Sequence, residues 1–265
     1  MTAQAISWTR PGRAGYQSGV LGLPTGVRAC LFDLDGVLTR TATVHAAAWK
    51  EMFDGFLAAR SPRQTPFTSQ DYDRYVDGRT RLDGTRGFLA SRGINLPEGT
   101  PGDPPGAETV HGLSTRKNDL VLEKIAAGQV EVYEGSVRYV RAVRAAGLAT
   151  AVVSSSANAV QVLDSAGIAE LFDTVVDGSI VVEEGLAGKP APDTFLAAGA
   201  RLGVGPPSGA VFEDALAGVE AGRAGDFAIV VGVDRVGQAE ALLAHGATIV
   251  VRDLAELLDD EAAAS

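Results

Sequence analysis

The sequence predicts an α/β protein in which a Rossmann-like parallel sheet, with helices on both faces, carries an inserted α-helical cap domain. Three observations support this fold class. Short apolar segments alternate with helix-like segments from Tyr133 onward, and such alternation is typical of a parallel sheet. A separate, mainly apolar run at 27–32 precedes a long helical region, residues 42–130. The chain has 265 residues, 46% of them hydrophobic, which is enough for a core domain and an accessory one.

The first element is a short strand behind an irregular N-terminal segment. Residues 1–26 have little periodicity, so we expect a loosely attached N-terminal extension. They lack an apolar segment of signal-peptide length, and no apolar run approaches the ~18 residues of a membrane span. We therefore expect a cytoplasmic protein without a membrane partner. Residues 27–32 are apolar apart from Arg28 and are soon followed by Gly36, which indicates a buried strand that ends in a tight turn.

The pattern after Leu38 is helical rather than extended. Apolar residues recur every four positions from Val44 to Phe56. Further helical patterns occupy 71–76, 82–92 and 117–127. The loops that interrupt them, rich in Pro, Gly and Ser, occupy 61–68 and 95–112. The first strand must join the sheet to bury both of its faces. We therefore assign 42–130 to a cap domain and 27–41 with 131–265 to the core, which places the cap over the carboxyl ends of the strands.

The rest of the core alternates regularly. The predicted elements are helix 136–146, strand 148–154, helix 157–166, apolar stretch 174–176, helix 193–202, strand 209–213, helix 217–224, strand 228–233, helix 237–245 and strand 248–250.

Charge and cysteine content exclude several classes of protein. The formal net charge of −10 argues against a nucleic-acid-binding surface and against binding to an anionic membrane. An anionic substrate would need local help from a divalent cation, a lysine or helix N-termini. Cys30 is the one cysteine of the chain, so an internal disulfide is excluded, and its place in the first strand predicts a packing role.

Two carboxylates, Asp33 and Asp35, follow the first strand. Their two-residue spacing starts both side chains on the same side of an extended chain, and the turn at Gly36 allows Asp35 to swing toward a neighbour of Asp33. One acid could then attack a substrate while the other transfers protons. A solvated turn is the alternative interpretation of these two residues alone.

Three serines, Ser154, Ser155 and Ser156, end the second strand and precede a helix. Hydroxyl groups and the N–H groups of a starting helix can together hold a phosphate. The alternative is that one serine caps the helix. Both are compatible, with Ser154 on phosphate and Ser156 as the cap.

A lysine and a second pair of acids follow further along. Lys189 precedes two prolines and the helix that opens at Asp193, so its ammonium could neutralise a nucleophile and phosphoryl oxygens; a solvated loop lysine is the alternative. Glu213 and Asp214 end the fourth strand. With Asp33 and the main-chain carbonyl of Asp35 they would suit Mg²⁺, which prefers hard oxygen ligands, although a capped helix explains them equally well in isolation.

These four motifs, in this order at predicted strand ends, resemble those of the haloacid dehalogenase superfamily of phosphotransferases. The resemblance extends to the β-phosphoglucomutase family through segments in both cap and core, namely 32–39, 116–119, 132–135, 188–195 and 213–218, with Thr41, His45 and Trp49. It implies the haloacid dehalogenase fold with a helical cap.

The resemblance also implies roles for particular residues. Asp33 would be the nucleophile that becomes an aspartyl phosphate, and Asp35 the general acid and base. Ser154 and Lys189 would hold the transferring phosphoryl group, and Mg²⁺ would bind Asp33, Asp35 through its carbonyl, Glu213 and Asp214. The substrate would contact Thr41, His45, Trp49, Arg81, Lys117, Ser155, Ser156 and Asn158.

Each cap residue has an alternative. His45 and Trp49 are four residues apart on one helix face and could simply pack together. Arg79, Arg81 and Arg86 could be solvated charges; Arg81 is favoured because Gly78–Arg81 matches the Gly-x-x-Arg pattern of the family. The chain departs from the family at Ala157, where a lysine that contacts the distal phosphate is usual, in the enlarged loop 97–107 and in residues 1–26.

We expect a monomeric or weakly dimeric enzyme that acts on a small-molecule sugar phosphate. The leading hypothesis is a mutase that exchanges a hexose 1-phosphate with its 6-phosphate through a bisphosphate. A Mg²⁺-dependent phosphatase that uses the same aspartyl phosphate is the alternative. A binding module without activity is a remote third, because it predicts loss of the nucleophile, the lysine or the metal acids, and all are present.

Overall fold

A six-stranded parallel sheet forms the centre of the protein. The computed structural model describes residues 20–60, 64–127 and 130–258. The strands are β1 (Ala29–Phe32), β2 (Ala149–Val153), β3 (Thr174–Val176), β4 (Gly209–Glu213), β5 (Ile229–Val233) and β6 (Ile249–Val251), arranged in the order β3-β2-β1-β4-β5-β6. Every neighbouring pair is parallel, so the predicted fold class is confirmed.

Helices cover both faces of the sheet. They are α1 (Thr41–Arg60), α2 (Ser69–Asp71), α3 (Arg81–Ser91), α4 (Val110–Ala126), α5 (Glu134–Ala145), α6 (Ala159–Ala166), α7 (Gly178–Glu183), α8 (Asp193–Arg201), α9 (Leu216–Ala224) and α10 (Ala239–His245). Side chains of α5 and α6 belong to the core on one face, and side chains of α8, α9 and α10 to the core on the other.

The central strand β1 explains why its sequence is apolar throughout. Cys30 and Phe32 belong to one core and Ala29 and Leu31 to the other, because successive side chains point to opposite faces. All four residues are fully buried, and β1 pairs with β2 on one side and β4 on the other. The chain segments that leave β1, β2 and β4 therefore lie next to one another at the carboxyl edge of the sheet. Burial also raises the pKa of the Cys30 thiol above its usual range.

The helices α1 to α4 and the described segments between them, together called the helical block below, have an aromatic core of their own. Phe53 is at its centre, since its ring centroid lies 5.2 Å from that of Trp49, 5.2 Å from that of Phe67 and 4.1 Å from that of Phe88. Two chain segments connect the block to the sheet. They are paired with each other, because the Tyr133 N–H donates to the Leu38 carbonyl at 2.9 Å and the Arg40 N–H to the Glu131 carbonyl at 2.8 Å.

Several element bounds differ from the sequence-based expectation. Helix α4 begins at Val110 rather than near 117, because the Thr109 hydroxyl accepts the Gly112 N–H and opens a helix inside the expected loop 95–112. Helix α7 was not predicted; Asp177 caps it by accepting the N–H groups of Ser179 and Ile180. Residues 72–76, expected as an ordinary helix, form a π-helical turn.

The expectation of a loosely attached extension at 1–26 is wrong for its last part. Leu21 and Leu23 are buried, at 3% exposure each, in the core on the sheet face that also holds Cys30 and Phe32. The Tyr139 hydroxyl donates to the Leu21 carbonyl at 2.9 Å. The apolar pattern in the sequence was too short to reveal this attachment, because it consists of these two leucines alone. Residues 1–19 lie outside the described part of the chain. No helix in the described ranges is both long enough and apolar enough to cross a membrane.

Candidate active site

A pocket lies between the carboxyl edge of the sheet and the helical block. The sheet side contributes Asp33, Asp35, Asp214, Ala215 and the segment 155–158. The helical block contributes the remaining lining residues, His45, Trp49, Tyr72, Val76, Asp77, Gly78, Arg79, Arg81 and Lys117. Residues from distant parts of the chain thus meet at the edge where ligands of parallel sheets bind.

Lys189 connects the acids at the ends of two neighbouring strands. Its Nζ lies 2.6 Å from Asp33 Oδ1 and 2.6 Å from Glu213 Oε1, and it donates to the Val153 carbonyl at 3.0 Å. Burial alone would lower the pKa of Lys189, but the two carboxylates outweigh burial and raise it above its usual range. The ammonium is therefore charged at neutral pH, and it holds Asp33 Oδ1, whereas Asp33 Oδ2 has no hydrogen-bond partner among the described residues.

Three carboxylates form a tight acidic cluster. Asp33, Glu213 and Asp214 each offer an oxygen, and these oxygens lie within 4.8 Å of one another. Burial is the main reason that the pKa values of Asp33 and Asp214 are well above the usual range, and repulsion by the neighbouring carboxylates adds to it. In the described part of the chain the Asp214 carboxylate receives no hydrogen bond or ion pair. One lysine cannot balance this charge, so the hard-oxygen cluster fits a divalent cation.

Gly36 allows the Asp33–Asp35 turn to approach the acidic cluster. Its φ is +97°, and a Cβ at this position would lie 1.7 Å from Asp214 Oδ2. Any side chain would therefore displace Asp214, and the left-handed backbone is itself unfavourable for other residues.

Asp35 is held by hydroxyl groups from two directions. The Thr41 hydroxyl, at the start of α1, donates to Asp35 Oδ1, and the Ser154 hydroxyl donates to Oδ2 at 3.4 Å. Thr39 Oγ1 lies 2.6 Å from Thr41 Oγ1 and extends this network into the connection to the helical block. The side chain of Asp35 is 19% exposed, so it is available to the pocket.

His45 and Lys117 form a buried pair on the helical-block side. Lys117 Nζ lies 2.8 Å from His45 Nδ1, and His45 Nε2 points toward Asp35 Oδ1 at 3.6 Å. Burial, then the nearby Lys117 charge, lower the pKa of His45 to about 4, so the imidazole is neutral at neutral pH. Burial, then Arg81, lower the pKa of Lys117 to about 7. Nε2 is buried and makes no hydrogen bond to a described residue.

Trp49 is both packed and adjacent to the pocket. It is 3% exposed, its ring stacks on Phe53, and Lys117 Nζ lies 5.0 Å from its ring centroid. Lys117 Nζ thus lies close to both His45 and Trp49, so these two side chains share one partner beside the pocket.

Arg81 and Asn158 meet at a residue that the sequence analysis did not single out. The Arg81 guanidinium donates to Asn118 Oδ1, and Asn158 Nδ2 donates to the same oxygen at 3.0 Å. Asn118 therefore links the helical block to the segment after β2. Its position in the 116–119 motif was a signal, but the motif does not reveal which side chain faces the pocket.

The serine segment is folded by its own hydroxyl groups. Ser154 Oγ accepts the Ser156 N–H at 3.0 Å, and Ser156 Oγ accepts the Asn158 N–H at 3.2 Å. The expectation that Ser156 caps the following helix is wrong, because α6 begins at Ala159 and has Asn158 at its N-cap position. The Ser155 hydroxyl donates to the Gly78 carbonyl at 2.7 Å, a contact between core and helical block.

Three further pocket residues come from the π-helical turn and its exit. Burial, then the negative charge of Glu213, raise the pKa of Asp77, and burial, then the negative charge of Asp77, raise the pKa of Tyr72. Arg79 is exposed, lines the pocket, and has no side-chain hydrogen bond or ion pair to a described residue. Sequence reasoning missed Tyr72 and Asp77 because no motif marks this turn, and it mentioned Arg79 only as a solvated charge.

Comparison with known proteins adds independent information. Residues 27–226 match the family model of the haloacid dehalogenase-like hydrolases, which covers all four strand-end motifs. A β-phosphoglucomutase of Mycobacterium tuberculosis is 55% identical over 260 residues, covering 95% of this chain and 99% of the relative. A β-phosphoglucomutase of Bacillus subtilis is 31% identical over 232 residues, covering 87% of this chain and 92% of the relative.

A solved structure shows the same fold. The β-phosphoglucomutase of Clostridium difficile superposes with a TM-score of 0.71 at 24% identity, covering 89% of this chain and 94% of that one. The helical block is included in this agreement, since the match extends over most of both chains.

Proposed function

This chain belongs to the β-phosphoglucomutase family of the haloacid dehalogenase-like hydrolases, and we propose that it converts β-D-glucose 1-phosphate to glucose 6-phosphate through the 1,6-bisphosphate. The observation that carries the proposal is the position of His45 Nε2, which lies 3.6 Å from Asp35 Oδ1 without a hydrogen-bond partner among the described residues. A buried, unpaired polar group beside the proton-transferring acid is suited to a substrate hydroxyl.

Asp33 is the proposed nucleophile. Its free oxygen attacks phosphorus, the bond from phosphorus to the sugar oxygen breaks, and an aspartyl phosphate forms. Lys189 holds the other oxygen of Asp33 at 2.6 Å and supplies positive charge where the phosphoryl group gains negative charge. Ser154 would contribute its hydroxyl group to the same phosphoryl group, for which its one O–H must turn away from Asp35 Oδ2, 3.4 Å away.

Asp35 is the proposed proton carrier. It donates a proton to the leaving sugar oxygen when Asp33 is phosphorylated, and it removes a proton from the accepting sugar hydroxyl when the phosphoryl group returns. The hydroxyl groups of Thr41 and Ser154 fix its carboxylate, each on one oxygen. Asp33 and Asp35 therefore have unequal roles although they are two residues apart.

We propose Mg²⁺ as the cation of the acidic cluster, held by Asp33, Glu213, Asp214 and the main-chain carbonyl of Asp35. When bound, it would neutralise the negative charge that otherwise repels a phosphate from these acids. The excess of buried carboxylate over Lys189 supports this proposal.

A mutase also needs a place for the second phosphate of the bisphosphate. Arg79 and Arg81 line the pocket on the helical-block side, and Ser156 and Asn158 line it on the sheet side. We propose that these groups hold the phosphate that is not being transferred. Arg79 would supply the charge that this chain lacks at Ala157, because it has no other described partner.

A phosphatase is the second candidate, since the matched family is one of hydrolases and the same Asp33 and Asp35 could transfer the phosphoryl group to water.

The two functions are separated by one experiment. The enzyme is given β-glucose 1-phosphate, a trace of the 1,6-bisphosphate and Mg²⁺, and glucose 6-phosphate and free phosphate are measured separately. Glucose 6-phosphate without matching free phosphate supports the mutase, whereas free phosphate alone excludes it.

A further inference from the structure

The loop after β5, residues 234–238, contacts both acid-bearing segments although none of its residues lines the pocket. Asp234 shapes this loop, since its Oδ1 accepts the Gly237 N–H at 2.7 Å and the Gln238 N–H at 2.8 Å. The loop is thus closed by its own hydrogen bonds and presents two side chains, Arg235 and Gln238, toward the acidic edge of the sheet.

Arg235 holds the turn that follows Asp35. Its Nε–H donates to the Gly36 carbonyl at 2.8 Å and its Nη2 to the Val37 carbonyl at 3.3 Å. The guanidinium group also donates to the Ser136 hydroxyl (3.2 Å), the Arg252 carbonyl (2.6 Å) and Asp253 Oδ2 (3.3 Å). These five acceptors match its five N–H donors, and the side chain is only 13% exposed.

Gln238 holds the other acid-bearing segment. Its Nε2 donates to the main-chain carbonyl of Asp214 at 2.9 Å. Asp214 and Gly36 also lie against each other, as the 1.7 Å approach of a Cβ at Gly36 to Asp214 Oδ2 shows. The two segments carry carboxylates that repel one another, so their separation depends on contacts of this kind.

We infer that Arg235 and Gln238 are positioning residues that hold the Asp33–Asp35 turn and the Asp214 segment at the separation needed to bind a divalent cation. The Asp35 carbonyl, one of the proposed ligands, belongs to the peptide group just before the Gly36 carbonyl that Arg235 holds. A shift of the Gly36 backbone would therefore also move the Asp35 oxygen. A lysine could not replace Arg235, because one ammonium has three donors and no planar fork. The inference rests on the metal site of the proposed function.

The test is metal affinity of the full chain, measured by calorimetry with Mg²⁺ and by electron paramagnetic resonance with Mn²⁺. The variants are Arg235→Gln, Arg235→Lys and Gln238→Met. The last of these keeps the length of the glutamine side chain and removes its N–H donor. Groups that position metal ligands typically contribute about 10- to 100-fold to affinity. We expect the dissociation constant to rise by at least about tenfold in Gln238→Met and further in both Arg235 variants.

Arg144→Gln is the matched control, because Arg144 also donates to a main-chain carbonyl, that of Leu171 at 3.1 Å, and to Asp173, but lines no part of the pocket. Its metal affinity should equal that of the wild type even where its melting temperature falls as much as that of Gln238→Met. Affinity within twofold of the wild type in folded Gln238→Met and Arg235→Lys overturns the inference. Failure of the wild type to bind either metal overturns the proposed metal site as well.

Discussion

Lys117 Nζ lies 2.8 Å from His45 Nδ1 in a buried part of the pocket. An ammonium only donates, so Nδ1 accepts and the ring proton lies on Nε2, the atom that faces Asp35. The protonation of Lys117 thus determines both the charge of the pocket wall and the donor that His45 presents. This pair links the pH of the solution to substrate binding.

Substrate affinity should fall as pH rises above about 7. Lys117 has a pKa lowered to about 7, by burial first and by Arg81 second, so it is charged below that pH and neutral above it. A neutral Lys117 attracts an anionic sugar phosphate less, and kcat/KM for β-glucose 1-phosphate should decrease by up to about tenfold per pH unit on the alkaline side. The measurement is a pH profile of kcat/KM from about pH 6 to about pH 9, that is, from roughly one unit below the pKa of Lys117 to roughly two units above it.

The control separates the effect of Lys117 on kcat/KM from that of Asp77. The pKa of Asp77 is raised, so this carboxyl group also loses its proton as pH rises and adds negative charge to the same pocket. Lys117→Met should remove most of the alkaline decrease, whereas Asp77→Asn should retain it. Lys124→Met serves as the matched lysine variant, since Lys124 is on the same helix and pairs with Glu51 outside the pocket. A decrease that persists unchanged in Lys117→Met contradicts the prediction.

Replacement of the two acids after β1 should have different consequences. Asp33→Asn removes the nucleophile, so no phosphoenzyme should form and turnover should fall by at least about 10³-fold. Asp35→Asn removes the proton carrier and should slow turnover by about 10²- to 10⁴-fold. Acid-quench trapping of ³²P-labelled protein distinguishes the two, because Asp35→Asn retains the carboxylate that is labelled. Full turnover by Asp33→Asn would exclude the mechanism.

Lys189→Met should destabilise the protein strongly in the absence of metal. The ammonium lies 2.6 Å from the carboxylates of Asp33 and Glu213, and its loss leaves buried charges without a partner, at about 3–5 kcal/mol. Urea unfolding at neutral pH measures this loss. The deficit should shrink as pH falls, because protonated carboxyl groups need no counter-ion and the pKa of Asp33 is already raised by burial.

Lys50→Met is the control for Lys189→Met. Lys50 also pairs with a carboxylate, that of Asp54 at 2.7 Å, but its side chain is 56% exposed, so its loss should cost no more than about 1 kcal/mol. A similar loss of stability in both variants would show that the buried position of Lys189 is unimportant.

Sequence alone predicted that Asp33, Ser154 and Glu213 would lie together, because each follows a parallel strand and those strand ends share one edge. It could not predict Asp77, since the π-helical turn that carries it has no recognisable pattern. It also missed Arg235, whose acceptors at Gly36 and Val37 lie 199 and 198 residues away in the chain. Contacts of such separation leave no periodic signal, whereas strand ends and glycine turns do.

Arg79→Ala should raise KM for β-glucose 1-phosphate about tenfold, as expected for loss of a partly exposed, charge-assisted contact to phosphate. Ala157 lines the same pocket on the sheet side, so Ala157→Lys returns one positive charge. The double variant should therefore recover most of the lost affinity, measured as KM. Arg74→Ala is the matched control, because Arg74 is exposed on the preceding turn, lies over Tyr75 and lines no part of the pocket. If Arg79→Ala and Arg74→Ala have the same KM, Arg79 does not bind the second phosphate.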